Sequence, residues 1–234
     1  MDEAVVEING INMLKKFKAL LSETYSVQPP ELKSFYKEVP GADGSLDLST
    51  AIAGRPTYER REITMHFSCI HQKDRWPGII SEILTEFHGK EGKIIFLDEP
   101  VYYYIGRMTV SDYERSGEVG KFTVNVSADP YKYEILSSLE DWIWDTFDFE
   151  TGIIREYSDI GVNGTETLMI EGTEKWVIPE FIVTGGISVT FEGKSHQLKV
   201  GTTKNYAIVI KPGKNELIFS GNGTVSVSYR GGVL

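Results

Sequence analysis

The stretch GKFTVNVSADPYKY, residues 120–133, decides how the chain is organised. Phe122, Val124 and Val126 alternate with polar residues, which is the period of two expected of a strand with one buried face. After this strand the helical signal nearly disappears, and short predicted strands follow at close intervals, separated by Gly-Gly, Pro-Gly and Asn-Gly. We therefore expect a mainly β protein with a domain boundary near residue 135.

The boundary gives two predicted domains, 1–134 and 135–234. In the first, a second strand shows the same alternation in Ile63, Met65, Phe67 and Cys69. One amphipathic helix is predicted after it, capped by Asp74 and ended by Gly89. Two further strands are predicted over 93–97 and 101–110. The segment INMLKKFKALLSETYSV fits both a helix and a strand, and the choice between them stays open.

Six short strands are predicted in the second domain. Their close spacing along the chain indicates a β-sandwich. They are residues 176–183, 187–191, 197–200, 206–210, 217–219 and 224–229. Asn222-Gly223 predicts a type I′ hairpin turn, because both central residues of that turn need a positive φ.

A polar, glycine-punctuated stretch, VPGADGSLDLSTAIAGRP at residues 39–56, interrupts the strands of the first domain. Asp43-Gly44 is favourable turn chemistry, so residues from about 35 to 52 are predicted to form a hairpin arm. Leu46 and Leu48 alternate with Asp47 on its returning strand. An isolated two-stranded ribbon is marginal in water, so this arm is expected to lie on its own domain or on a neighbouring subunit.

Composition narrows the possible partners. The formal net charge is −10 with a pI near 5.0, which disfavours a general grip on nucleic acid or on anionic lipid. No apolar run approaches the roughly 20 residues that cross a bilayer, so no membrane partner is expected. The single cysteine, Cys69, and the lack of a secretory signal predict folding in a reducing cytoplasm.

No strong catalytic or nucleotide-binding motif is present, so the chain is predicted not to be an enzyme and to need no cofactor. An EF-hand counted from Asp43 fails at its sixth and twelfth positions, where Leu48 and Gly54 stand. His66, Cys69 and His71 are close enough in sequence to suggest a zinc site. His66 and Cys69 point to opposite faces of a strand, however, and no fourth ligand follows at a suitable spacing, so no metal is expected. Any chain with 34 acidic residues offers many carboxylate pairs, and the sequence singles out none as catalytic.

Tryptophans offer a different kind of site. Trp142, Trp144 and Trp176 could form a stacking platform for sugar, although burial in a core or interface is the favoured interpretation of the first two.

Four blocks, taken together and in order, resemble the distal tail protein family of bacteriophages, prophages and tail-like particles of Gram-positive bacteria. They are EINGINMLKKFKALL, VPGADGSLDLSTAIAGRPTYERREITMHF, GKFTVNVSADPYKY and GTTKNYAIVIKPGKNELIFSGNGTVSVSYRGGVL. The most distinctive features are PGADGSLDLS followed by an R-x-I-x-x-x-F strand, and the PG-x-N-x-x-x-x-x-G-x-G ending.

The resemblance implies an N-terminal, ring-forming β domain with one helix and a C-terminal galectin-like jelly roll. It implies a homo-hexameric ring that joins the tail tube to the baseplate or tail tip and carries receptor-binding proteins. Other implied partners are the tail tube protein, the tail-associated hub proteins and the tape measure, with DNA only as passing cargo. The protein is then expected in the virion tail, after assembly in the cytoplasm of a bacterial host.

By position, the block 40–50 matches the extended hairpin of that family, so Leu46, Asp47 and Leu48 are predicted as intersubunit contacts. A module that recognises sugar of the host cell wall is the alternative function, because galectin-like folds often bind carbohydrate. Fold by itself does not decide between these two functions.

Overall fold

The computed structural model describes residues 6–22, 25–71, 74–139 and 157–234. Strands account for 55% of the structure and helices for 8%, which confirms the prediction of a mainly β protein. The chain divides into two compact units, Met1–Lys132 together with Leu234, and Tyr133–Val233. The sequence places the boundary after residue 134.

The first unit is an antiparallel sheet with two helices. Its strands are β1 (Val6–Ile8), β2 (Ile11–Asn12), β3 (Ala19–Leu21), β4 (Ser26–Val27), β5 (Tyr36–Glu38), β6 (Ser45–Asp47), β7 (Arg61–Ile70), β8 (Glu91–Phe96), β9 (Tyr102–Ser116) and β10 (Val119–Ala128), and its helices are α1 (Met13–Phe17) and α2 (Trp76–Phe87). The main sheet has the order β2-β1-β8-β9-β10-β7-β3, with β4 also paired to β7, while β5 and β6 form a separate two-stranded ribbon.

The pairing of β7 with β10 is the longest ladder of the first unit and carries much of its core. It is antiparallel and runs without a break from Arg61 opposite Ala128 to Ile70 opposite Val119. The side chains of one face point inward and are buried, among them the register partners Phe67 and Phe122, whose rings stack with their centroids 5.0 Å apart. The predicted alternation, including a buried Cys69, is confirmed.

Helix α2 covers this buried face through Ile80, Ile83 and Phe87. The predicted cap by Asp74 is wrong: the helix begins at Trp76, followed by Pro77, and no side chain caps it. Proline is favourable in the first turn because its missing N–H has no partner there in any helix, which removes part of the need for a cap. The predicted end of the helix is right, since Gly89 has φ 75° and donates from its N–H to the Met108 carbonyl oxygen over 2.8 Å.

The ambiguous segment contains both a helix and a strand. Asn12 accepts a hydrogen bond from the Lys15 N–H and starts α1, and Lys18 ends it in a left-handed conformation with φ 53°. The chain then continues directly as β3. The resemblance implies one helix in this domain, and the structure has a second one. In the segment whose structure the sequence left open, five residues form a short helix packed against α2, where the Phe17 and Phe87 rings meet edge to face at 6.0 Å. No helix in the described ranges is long and apolar enough to cross a membrane.

Three long strands dominate the second unit. Its strands are β11 (Lys132–Glu134), which begins on the last residue of the first unit, β12 (Ile160–Gly172), β13 (Glu180–Phe191), β14 (Lys194–Gln197), β15 (Gly201–Lys204), β16 (Gly213–Ser228) and β17 (Gly232–Val233). The order β12-β16-β13-β14 forms one antiparallel sheet, and β15 pairs with the other half of β13.

The predicted hairpin at Asn222-Gly223 is wrong. Strand β16 runs straight through this dipeptide, and both of its neighbours stay paired with it on either side. Gly221 and Gly223 have φ values of 138° and 150°, and across the ladder they lie opposite residues around Gly185, which has φ 85°. The glycines therefore form a row across the sheet at which the strands deform and continue.

The deformation folds the sheet over on itself. Phe219 pairs with Val189, eight positions along β13 from Phe181, which corresponds to roughly 26 Å in a straight strand. Yet the rings of Phe181 and Phe219 meet edge to face with centroids 6.2 Å apart. The two halves of the same strands therefore face each other across one core, as the two layers of a sandwich. The more specific comparison with galectin stays a prediction.

We expect Gly223→Ala to destabilise the second unit by more than about 3 kcal/mol. A Cβ atom on Gly223 would lie 1.7 Å from the Thr184 carbonyl oxygen, and φ of 150° is strained for any other residue. Urea unfolding followed by circular dichroism measures the change in the free energy of unfolding.

Gly161→Ala is the matched control, because it lies in β12 of the same unit and a Cβ there meets no atom within 4 Å. Its free energy of unfolding should stay within about 0.5 kcal/mol of the wild type. Equal unfolding midpoints for the two variants would contradict the role assigned to the glycine row.

Candidate functional site

The predicted hairpin arm is present as the ribbon of β5 and β6. Tyr36 pairs with Asp47 and Glu38 pairs with Ser45. The connecting turn places Gly41 at φ 80° and the predicted turn residue Gly44 at φ 78°, in the region that glycine adopts most readily.

One face of this ribbon is apolar and exposed. Lys37 pairs with Leu46. Phe35 lies two residues before Lys37 and Leu48 lies two residues after Leu46, so all four side chains share this face. Phe35 is 59% exposed to solvent and Leu46 is 53% exposed, whereas Leu48 is half-buried. We call this surface, Phe35, Lys37, Leu46 and Leu48, the arm face.

Asp47 points to the opposite face and orders the backbone of the arm. Its Oδ1 accepts a hydrogen bond from the Ser49 N–H over 2.8 Å, and the Phe35 N–H donates to the Ser49 hydroxyl oxygen over 2.9 Å. The hydrogen bonds from the Ser49 hydroxyl and then from its N–H hold the pKa of Asp47 below its ordinary value. Of the three predicted contact residues, the structure thus places Leu46 and Leu48 on the apolar face and Asp47 on the other.

The base of the arm is tied to the first unit by backbone hydrogen bonds. The Lys33 N–H donates to the Thr57 carbonyl oxygen and the Glu59 N–H donates to the Glu31 carbonyl oxygen, each over 2.8 Å. Nearby, the Arg55 guanidinium donates to the Tyr131 hydroxyl over 3.2 Å. The arm therefore leaves the sheet at a fixed point, immediately before β7 begins.

A second surface, which the sequence reasoning missed, lies on the outward face of β7, β9 and β10. The register of β9 against β10 shifts by one residue, so Asp112 and Tyr113 stand together opposite Phe122, and Asp112 has φ 49°. This is a β-bulge, which re-aims the side chains next to it. It borders a cavity of about 700 Å³. We call it the outer groove, and among its lining residues are His66, Ser68, Asp112, Tyr113, Glu114 and Lys121.

Another cavity, of about 550 Å³, lies beside Arg61, where Pro29 and Tyr58 form part of its wall. Arg61 is 5% exposed, and its Nη2 donates to the Pro130 carbonyl oxygen. Within the described part of the chain its Nε has no hydrogen-bond partner, and the guanidinium carbon lies 5.5 Å from the centre of the Tyr104 ring. Burial lowers the pKa of Arg61. The cavity thus combines a fixed positive charge with largely apolar walls.

The residues considered for a metal have other partners. His66 Nδ1 lies 3.0 Å from the Thr123 hydroxyl, and His71 Nε2 lies 2.7 Å from the Phe17 carbonyl oxygen. Burial raises the pKa of the Cys69 thiol to about 11. Among the residues that the structure describes, no three His, Cys, Asp or Glu side chains come together as a metal site would require.

The predicted sugar platform is only partly within the described residues. Trp142 and Trp144 lie outside them. Trp176 is half-buried, with the Lys211 ammonium 5.6 Å from its ring centre. Carbohydrate binding stays a prediction.

Comparison with solved structures identifies a similar fold over almost the whole chain. The SPP1 Dit protein (gp 19.1), whose crystal structure is described as a paradigm of the hub adsorption apparatus in phages that infect Gram-positive bacteria, matches with a TM-score of 0.64. The match covers 97% of this chain and 98% of that chain at 14% sequence identity. No family model and no curated protein sequence matches the chain. The sequence resemblance is thereby confirmed at the level of the fold.

We expect Ser49→Ala to raise the pKa of Asp47 toward the ordinary value of 3.8, because the larger of its two stabilising hydrogen bonds is lost. A depressed pKa means that this interaction supports the arm above the ordinary value and is lost as the pH falls through the folded one. A pH titration of the side-chain carboxyl carbon by NMR measures it.

Ser49→Thr is the matched control, since it keeps a hydroxyl group at the same position and should leave the pKa depressed. The same pKa in the wild type and in Ser49→Ala would show that the Ser49 hydroxyl does not act on Asp47.

Proposed function

We propose that the protein is a structural component of a phage tail or tail-like particle, a distal tail protein that closes into a hexameric ring at the end of the tail tube. The observation that carries this proposal is the similarity in fold to SPP1 Dit over 97% of the chain. The four sequence blocks support it independently, because their resemblance to the family rests on residue identities and spacing rather than on the fold.

The arm face is the contact that we assign to the ring. Fully burying a leucine side chain contributes about 1.5–3 kcal/mol. Because Leu46 keeps only 53% of its exposure and Leu48 is half-buried, covering both contributes about half of the sum for two leucines, and Phe35 adds to it. A gain of a few kcal/mol at every interface is significant when it is repeated around a closed ring.

The remaining roles follow from the same proposal. The ring would join the tail tube protein on one side to the tape measure, hub and baseplate proteins on the other, and the second unit would hold receptor-binding proteins. The role is architectural rather than catalytic. A net charge of −10 suits a ring through which DNA passes without being retained, because like charges do not adhere. Assembly in the host cytoplasm and a final place in the virion tail complete the proposal.

We expect Leu46→Asp combined with Leu48→Asp to leave a folded chain that has lost most of its self-association. Placing a carboxylate in an apolar interface carries a large desolvation cost, whereas on the exposed arm of a monomer it carries little. Light scattering coupled to size exclusion gives the mass, circular dichroism reports folding, and negative-stain microscopy shows whether the wild type forms six-fold rings.

The matched control is Val200→Asp with Tyr206→Asp, which adds the same two charges at exposed apolar positions of the second unit. It should assemble as the wild type does. If the arm variant assembles to the same extent as the wild type, the arm is not the ring contact.

A further inference from the structure

The arm face and the outer groove carry matching chemistry. The arm face is apolar with one cation, Lys37, at its centre. The outer groove has two carboxylates, Asp112 and Glu114, and among the described residues neither forms an ion pair. Lys121 lies directly opposite Glu114 in the register of β9 and β10, and its positive charge offsets one of the two negative charges. The groove therefore keeps a net charge of −1.

Exposed apolar side chains adjoin the groove on the same outward face. Tyr113 lines it and keeps 55% of its exposure. Leu20 pairs with Ser68, and Ile70 pairs with Val119 at the end of the ladder. Leu20, Ile70 and Val119 are all exposed, with Ile70 at 67%. A surface of this kind can cover the arm face while its carboxylates meet Lys37.

The two surfaces lie at different positions along the chain of β7. The base of the arm is held at Thr57 and Glu59, before β7 begins, whereas the groove lies around His66 and Ser68. Eight residues of extended chain separate Glu59 from Phe67, which is about 26 Å. Within one chain the arm face is exposed, so the arm does not occupy its own groove.

We propose that the outer groove is the acceptor for the arm face of the next copy of this chain, with Lys37 of one copy beside Glu114 and Asp112 of its neighbour. Donor and acceptor are different surfaces of one subunit, so the contact is heterologous. A heterologous contact repeats head to tail, and it closes into a ring when the rotation between successive copies allows closure. The inference rests on the proposed function, since it names the partner of the arm.

Charge reversal tests the pairing in the full chain. Lys37→Glu and Glu114→Lys should each raise the dissociation constant for self-association by at least about tenfold, because each places like charges together in the interface. The double variant should recover most of the wild-type association. Sedimentation velocity over a range of concentrations measures all four proteins.

Disulfide trapping gives a second readout that does not depend on the size of the charge effect. A chain carrying Lys37→Cys, mixed with a chain carrying Glu114→Cys, should form a mixed disulfide on mild oxidation, while the buried Cys69 stays unreactive. Glu166→Cys, on an exposed position of β12, replaces Glu114→Cys in the control mixture and should give no such product.

The outcomes separate the two proposals. If the wild type assembles and the leucine variant does not, but the charge pair shows no rescue and no disulfide forms, the groove assignment is wrong and the ring proposal stands. A wild-type chain that remains monomeric at every concentration would overturn both.

Discussion

The antiparallel ladder between β7 and β10 is the interaction on which the first unit depends. Its inward side chains, such as Phe67 and Phe122, form the core beneath α2, and its outward side chains form the floor of the outer groove. Because successive residues of a strand point to opposite faces, a register slip of one residue would exchange the two sets. Core packing and the lining of the outer groove are therefore fixed by the same pairing, and neither can shift alone.

Local signals predicted the strands β7 and β10 and the end of α2 correctly, although the local cap signal at Asp74 was wrong. The hairpin predicted at Asn222-Gly223 failed because its outcome depends on a distant partner. Alternation in β7 and β10, and the helix end at Gly89, require only neighbouring residues. Asn222-Gly223 is compatible both with a tight turn and with a deformed strand. Here β16 continues beside Gly185, far away in the sequence, where the lack of a side chain lets the two backbones come close: a Cβ atom there would lie 2.3 Å from the Asn222 carbonyl oxygen. A dipeptide rule contains no information about that partner.

The two surfaces of the candidate site differ in the same way in how far the sequence predicts them. The arm could be located from the turn residues and from the alternation of Leu46 and Leu48, all within about a dozen residues. The outer groove could not, because it is assembled from three strands and from a bulge that places Asp112 and Tyr113 opposite Phe122. Individually, Glu114 and Lys121 resemble ordinary charged surface residues. Their proximity follows from the register, which sequence patterns do not determine over this distance.

The glycine row also sets how the second unit would respond to load. Because β12, β13 and β16 each pass through both layers, three continuous backbones join the layers in addition to the side-chain contacts between Phe181 and Phe219. A pulling force is therefore carried first by these covalent backbones and by the hydrogen-bonded ladders, and only then by the side-chain contacts between the layers. The layers cannot peel apart as two separate sheets could, so the unit should yield as one cooperative body rather than by gradual delamination.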